Sequence, residues 1–286
     1  MYDVIIIGAG PAGISASLYA KRANLNVLVL YNSISNVEKA VKIDNYYGFP
    51  GGISGSQLFR CGIEQAKNLG VDVKKAEVTS IENMGTSFVV NTVNSNFEGK
   101  AIIISTGNQK ITPNIKGLKE FEGKGISYCA ICDAFFYRNK NIGIIGNGDF
   151  AISEAKTLKN VTDNIEIFTN GEKIATKNLD FKINTTKIKE IVGLDTVQGL
   201  ILEDGSKIHL DGIFIALGEA GAIDFAKTLG IITKNDIIIV NENMETNVKG
   251  IYACGNITGG LLQISKAVYE GSVAGLAAVK YVKNNK

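Results

Sequence analysis

Two thiols three positions apart, followed at once by a carboxylate, form the most reactive grouping in the chain: Cys129-Ala130-Ile131-Cys132-Asp133. In an α/β protein with few cysteines, Cys-x-x-C reads as a redox pair sooner than as a structural bridge. Zinc is the competing reading, but it wants four ligands. Only Cys61 and Cys254 could complete such a site, and they form no second closely spaced couple. Two unconnected structural cysteines are the third alternative. Asp133 could move a proton for an arriving or departing thiolate, or it could cap a helix.

A second grouping is built of glycine. Gly8-Ala9-Gly10-Pro11-Ala12-Gly13 follows the apolar run 4–7 and precedes the helix formers of 14–23. Between a strand and a helix, this pattern lets the backbone approach a diphosphate at the positive end of the helix dipole. Gly8 permits the tight turn, Gly10 the close approach, and Gly13 the packing of helix on strand, while Pro11 suits a first helical position. An acid at the tip of the next strand would hold a ribose. Tyr31, Asn32 and Ser33 stand there instead.

The arrangement recurs. Strand 142–145, the turn Gly146-Asn147-Gly148-Asp149-Phe150-Ala151, helix 152–159 and strand 165–168 repeat the first copy, with Gly8 and Gly146 spaced 138 residues apart, as are Val27 and Ile165. Two Rossmann-type βαβ units in one chain follow. Continuous apolar runs at 27–30 and 101–104 read as buried strands, and 213–217, 237–240 and 250–253 as further strands. A helix over 262–282 carries Ala267, Gly271, Ala274 and Gly275 on one side, suiting close backbone packing, and helix 56–69 carries Cys61. A small, buried, apolar role is expected for Cys61 and Cys254 alike. Hinges are expected near 109–113 and 241–247, so the second unit is inserted in the first.

Composition narrows the classes. The 286 residues, 45% hydrophobic and 20% charged, suit about two globular domains. A net charge of +2 argues against nucleic acid and anionic membrane as partners. No apolar run reaches the ~18 residues of a span, and the first residues show no secretory pattern; a cytoplasmic protein is expected. Four cysteines are too few for a secreted disulfide scaffold. With one histidine, His-rich metal sites are impossible, and His209 lies in an alternating strand, Lys207-Ile208-His209-Leu210, as an outward surface residue.

Taken together, Gly-Ala-Gly-Pro-Ala-Gly, Ser105-Thr106-Gly107, Ser-Tyr-Cys-Ala-Ile-Cys-Asp at 127–133 with the following Phe-Phe-Tyr-Arg-Asn-Lys, and Gly-Ile-Tyr-Ala-Cys-Gly-Asn at 250–256 resemble the low-molecular-weight thioredoxin reductases over essentially the whole chain. The resemblance implies a homodimeric FAD enzyme acting on thioredoxin, of the class II pyridine nucleotide-disulfide oxidoreductase type. Its fold would be α/β, with two Rossmann-like three-layer domains: residues 1–112 and 245–286 for FAD, and residues 113–244 inserted with the redox pair. By matching position, Cys132 is implied to lie nearest the flavin, Cys129 to attack thioredoxin, and Asp133 to serve as acid/base. Gly8, Gly10, Pro11, Ala12, Gly13, Asn45, Thr106, Gly107, Gly255, Asn256 and Gln263 are implied to bind FAD, with no metal. Asn256 replaces the family's usual aspartate, and Leu262 the arginine before the glutamine.

The departures gather in the second copy. Family members using NADPH carry Gly-Gly-Gly-Asp-Ser-Ala in the turn and an arginine cluster at the next strand end. This chain has Phe150 in the turn and Phe168-Thr169-Asn170-Gly171-Glu172-Lys173 at the strand end, with no arginine after Arg138. A hydrogen bond to a charged group contributes about 1.5–3 kcal/mol, so two lost contacts weaken coenzyme binding by about 10²–10⁴-fold. Lys173 replaces them only as a flexible point charge. The pattern resembles the ferredoxin-dependent flavin thioredoxin reductases. A ferredoxin near about −400 mV driving a thioredoxin near about −270 mV releases roughly 6 kcal/mol for two electrons. Lys116, Lys119 and Lys124, or Lys182, Lys187 and Lys189, could meet an acidic ferredoxin. Three alternatives stay open: a conventional NAD(P)H-dependent reductase, an FAD-dithiol reductase of another disulfide, and a non-catalytic flavoprotein.

Overall fold

Strands with no polar face and turns rich in glycine force the chain into parallel sheets. The computed structural model describes residues 1–32, 35–107, 113–128, 130–174, 180–218 and 221–285, with the backbone alone for Asn36, Ile131 and Cys132. The chain divides into two compact units, Met1–Gln109 with Gly221–Lys286, and Lys110–Ala220.

In the first unit, β1 (Tyr2–Ile7), helix α1 (Pro11–Arg22) and β2 (Val27–Tyr31) form the expected βαβ turn. Helix α2 (Gly55–Asn68), β3 (Asp72–Lys75) and the strands β4 (Val78–Asn83), β5 (Phe88–Thr92) and β6 (Asn96–Ile104) follow. Val4 pairs with Val27 on one side and Ala101 on the other, both parallel. β3 continues the parallel order beyond β2, while β4 and β5 add antiparallel strands beyond β6.

The inserted unit repeats this order. It holds β7 (Ile126–Ser127), a short helix α3 (Ala130–Asp133), β8 (Ile142–Ile145), α4 (Asp149–Lys159), β9 (Ile165–Phe168) and β10 (Lys182–Asn184). A meander of β11 (Ile188–Gly193), β12 (Val197–Leu202) and β13 (Lys207–His209) leads to β14 (Gly212–Ile215). Among the described residues the sheet runs β10-β9-β8-β14-β7, all parallel.

After its return the chain forms helix α5 (Ala222–Leu229), the small hairpin β15 (Thr233–Lys234) and β16 (Ile237–Ile238), strand β17 (Ile251–Ala253) on β6, and helix α6 (Ile264–Asn284). Methyl groups at Gly271 and Gly275 would overlap the carbonyl oxygens of Ala12 and Ala16, so α6 lies directly on the backbone of α1. The expected small-residue face therefore does pack closely. No helix among the described residues is long and apolar enough to cross a membrane.

The return comes at Gly221, earlier than the 245 expected from sequence. Residues 221–244 belong with the first unit because α5 packs on β4. Segment 241–247 is no hinge. Asn241 Oδ1 accepts the N–H groups of Asn243 and Glu245, and Asn247 bonds to Ile232 N–H and Gly230 C=O. These asparagines anchor turns. The other expected hinge, 109–113, lies outside the described residues except for Pro113.

Candidate functional site

The first glycine turn is built by backbone contact. Gly8 adopts φ +111°, and a methyl there would overlap the carbonyl of Ser105. Ser105 Oγ donates to the carbonyls of Ile7 and Gly8 at 3.0 and 3.1 Å, clipping β6 to β1 where the turn begins. Gly13 could take no side chain without striking Gly8 C=O. At the helix start, Gly10 is the N-cap and Pro11 the first residue, with no side-chain cap and no acid in the first turn. The N–H groups of Ala12 and Gly13 thus open a helix that no carboxylate has neutralised, as an incoming diphosphate requires. A Cβ at Gly10 would have only Ser35 Oγ near it, at 3.4 Å. The residues fit a dinucleotide cofactor.

Other expected cofactor residues surround the same strand ends. Thr106 and Gly107 continue from β6, and Gly255 and Asn256 from β17, the strand paired to β6. Asn45 and Gln263 come together across 218 positions, the asparagine Nδ2 donating to the glutamine Oε1 at 3.0 Å.

Sequence reasoning missed two features of this unit. Glu77, just past β3, accepts from Asn32 Nδ2 at 3.2 Å. An acid therefore does stand beside the tip of β2, supplied by the neighbouring strand, where a search for one on β2 cannot find it. The second feature is the largely buried pair Lys266 and Glu270, 3.0 Å apart and four residues apart on α6, with side chains 15% and 11% exposed. Glu270 Oε2 accepts from Gly255 N–H and Thr258 Oγ1, both at 2.8 Å. Lys266 Nζ donates to the carbonyls of Gly255 and Gly259 at 2.8 and 2.5 Å and to Thr258 Oγ1 at 2.9 Å. Two opposite charges on one face of a helix that follows a glycine-rich turn were the available signal. Cys254 lies inside this region, buried as expected, and burial pushes its thiol up, reinforced by Glu270. Cys61 departs from expectation: it is exposed on α2, beside Leu18, Tyr19 and Arg22.

The thiol segment belongs to the inserted unit. Cys129 lies outside the described residues, and Cys132 is placed by its backbone within α3. Asp133 accepts from Ser127 Oγ at 2.6 Å and makes no cap bond to the turn that follows it. Tyr137 closes the segment. Its ring meets Phe214 edge-on at 5.3 Å and fills the space a side chain at Gly212 would need. Burial, then the Asp133 charge, holds its hydroxyl above the usual tyrosine range. Phe135 and Phe136 between them are exposed.

The second glycine turn keeps the architecture of the first. A methyl at Gly146 would overlap Ala216 C=O, and Gly148 is the uncapped N-cap of α4. Phe150, the second residue of α4, is buried. The strand tip is where the copies part. Thr169 is fully buried and its Oγ1 donates to Glu172 C=O at 2.6 Å; Asn170 Oδ1 accepts Ile188 N–H at 2.8 Å. Thr169 is thus engaged with the backbone of its own turn, and Asn170 with the backbone at the start of β11.

Of the lysines proposed for docking, Lys116 lies 2.7 Å from Glu190, and Lys182 2.8 Å from Glu166. Mutual attraction raises the Lys116 pKa and lowers that of Glu190. Each group thus has one charge already matched. His209 is exposed, 4.0 Å from Asp211, in the surface position expected of it.

Comparison with known proteins agrees with this geometry. Residues 2–271 match the family model described as pyridine nucleotide-disulphide oxidoreductase. The chain is 34% identical to a thioredoxin reductase of Aquifex aeolicus, over all of this chain and 95% of that protein. Among solved structures, it is similar to the atypical thioredoxin reductase TRi of Desulfovibrio vulgaris Hildenborough, with TM-score 0.96 and 36% identity over 99% of each chain. It is also similar to a ferredoxin-flavin thioredoxin reductase of Clostridium acetobutylicum, with TM-score 0.76 and 33% identity over 99% of this chain and 98% of that one.

Proposed function

We propose, from the premise that this chain belongs to the pyridine nucleotide-disulphide oxidoreductases and among them to the thioredoxin reductases, that it reduces thioredoxin through Cys129 and Cys132 with electrons from reduced ferredoxin. FAD is the cofactor of this flavoprotein family. The N–H groups of Ala12 and Gly13, in the Gly8–Gly13 turn opened by Pro11, would hold its diphosphate, and Glu77 its adenosine ribose. Asn45, Thr106, Gly107, Gly255, Asn256 and Gln263 would hold the flavin half. When bound, FAD supplies the electron pair for the disulfide.

The residues divide the remaining work. Reduction of a Cys129–Cys132 disulfide takes two electrons and two protons, and Asp133, steadied by Ser127, passes a proton at the sulfur. The Cys129 thiolate then attacks the thioredoxin disulfide, and one thioredoxin sulfur leaves. Cys132 next attacks Cys129 Sγ, releasing reduced thioredoxin and restoring the starting disulfide. Exposed Phe135 and Phe136, just after the Cys-x-x-C in sequence, offer an apolar landing place for thioredoxin.

One observation carries the choice of donor: Thr169 and Asn170, where a nicotinamide coenzyme would be gripped, bond the backbone at Glu172 and at Ile188 of β11. A donor that needs no such grip fits better, and a low-potential ferredoxin meets the energetics. Under argon, reduced ferredoxin should bleach the yellow protein and generate thioredoxin thiols, whereas NADPH or NADH at ~0.1 mM, far above the ~1 μM end of usual coenzyme affinities, should leave the spectrum unchanged. Rapid bleaching by either nucleotide rejects the donor assignment. Cys129→Ser should still bleach with ferredoxin yet yield no thioredoxin thiols; unchanged turnover would reject the dithiol itself. The same reading takes the protein as a cytoplasmic homodimer, which light scattering checks against the 30.6 kDa chain.

A further inference from the structure

We infer that Glu154 is a positioning residue for the thiol pair: its carboxylate reaches from α4, holds the backbone between the two cysteines and keeps the pair strongly reducing. The inference rests on the dithiol reading above. Glu154 Oε2 accepts the N–H of Ala130, the residue directly after Cys129, at 2.6 Å in a buried setting. Glu154 is 8% exposed and Ala130 fully buried.

The position of this carboxylate is unusual. Ala151, Ala155 and Leu158 mark the buried stripe of α4, and Glu154 falls within it, where the helical period calls for an apolar side chain. Burying a carboxylate is costly unless it is well bonded. Here it accepts a backbone N–H in the middle of Cys-x-x-C. The helix that in a coenzyme-binding unit serves a ligand with its first turn thus serves the thiol segment with its second.

The sign of the effect follows from electrostatics. Nearby N–H groups stabilise thiolates and lower their pKa. Glu154 engages the N–H of Ala130, next in sequence to Cys129, and brings a negative charge to that backbone, and both effects disfavour the reduced, thiolate-bearing form. A pair whose reduced form is stabilised is an oxidant, so one whose reduced form is disfavoured gives up electrons readily. Of the other titratable groups in the segment, Asp133 and Tyr137 are anchored to Ser127 and Phe214, contacts that do not involve Glu154.

The test uses FAD-loaded protein carrying Cys61→Ser, so that the exposed thiol does not interfere. Glu154→Gln keeps the acceptor oxygen and removes the charge; Glu154→Ala removes both. Each is equilibrated in dithiothreitol redox buffers, and the Cys129–Cys132 peptide is trapped by alkylation and quantified by mass. Glu154→Gln should favour the dithiol about tenfold, a midpoint about 30 mV less negative, and should react faster with iodoacetamide at pH 7. Glu154→Ala should move further in the same direction. If both variants keep the parent's midpoint and alkylation rate, even while melting at lower temperature, Glu154 only supports the fold and the inference fails. Failure of the dithiol reading looks different: the parent protein itself would then show no two-electron titration.

Discussion

At Gly8 a methyl group would strike the carbonyl of Ser105, and at Gly146 it would strike that of Ala216. Both collisions join the first strand of a βαβ unit to the strand beside it, so both glycines serve the fold. The tips of the second strands differ. Beside β2, Asn32 holds the Glu77 carboxylate; past β9, the Thr169 and Asn170 side chains bond to backbone. The first unit also has the Lys266–Glu270 pair bracing a further glycine turn at Gly255. A duplicated unit can therefore keep every position the backbone needs while its ligand-facing positions take on other duties. In the second copy, those duties include anchoring the thiol segment.

The largest effects should fall where the two copies agree. Gly8→Ala and Gly146→Ala each force overlap with backbone, and each should cost more than about 4 kcal/mol in unfolding experiments. Gly8→Ala should also purify colourless. Gly146→Ala should retain flavin if any of it folds. Equal flavin loss in both would break the comparison.

Next in size is a change with no counterpart in the inserted unit. Lys266→Met strands the Glu270 carboxylate and frees two carbonyls of the Gly255–Gly259 turn. Breaking one partner of a buried pair costs about 3–5 kcal/mol. Denaturant melts should show that loss, and equilibrium dialysis should show weakened flavin binding. Retained stability would mean that the pair is screened by solvent.

The part of the molecule that depends on local period was legible in the sequence. Strands β8 and β9 begin and end where their apolar runs do, and the 138-residue offset carried over to matching sheet orders. Of the β11–β13 meander only the alternating strand at 207–210 was foreseen, and the antiparallel β4–β5 pair was not, because these half-exposed strands carry a diluted alternation. Pairings between distant residues were invisible for a different reason. Glu154 looks like any helical glutamate until the fold sets it against Ala130, and Asn241 and Asn247 resemble a linker until their side chains are seen closing turns. Asparagine composition reports a turn, but it does not tell a hinge from an anchored loop.

A smaller effect separates loop structure from coenzyme binding. Asn170 sits at φ +53° with its Oδ1 on Ile188 N–H. Asn170→Ala loses one hydrogen bond, about 1 kcal/mol, and places alanine in the left-handed region for about 1 kcal/mol more. A melt should show about 2 kcal/mol lost with thioredoxin turnover unchanged. A change in nucleotide KM would assign Asn170 to a working coenzyme site.

The smallest pair of effects discriminates most sharply. Gly10 and Gly148 occupy the same N-cap position, both extended, and a Cβ at either meets nothing closer than 3.4 or 3.5 Å. Alanine should therefore fold in both, losing about 0.5 kcal/mol as a poorer cap. What differs is the missing neighbour. At Gly10 the methyl points where the diphosphate must approach the backbone, so flavin affinity should fall about tenfold or more, equivalent to about 1.4 kcal/mol. On the ferredoxin reading no ligand approaches Gly148, so flavin content and turnover with reduced ferredoxin should match the parent. If Gly148→Ala slowed turnover as Gly10→Ala does, something would have to occupy the second turn during catalysis. The loss of its strand-tip grip would then reflect a different ligand, not an abandoned site.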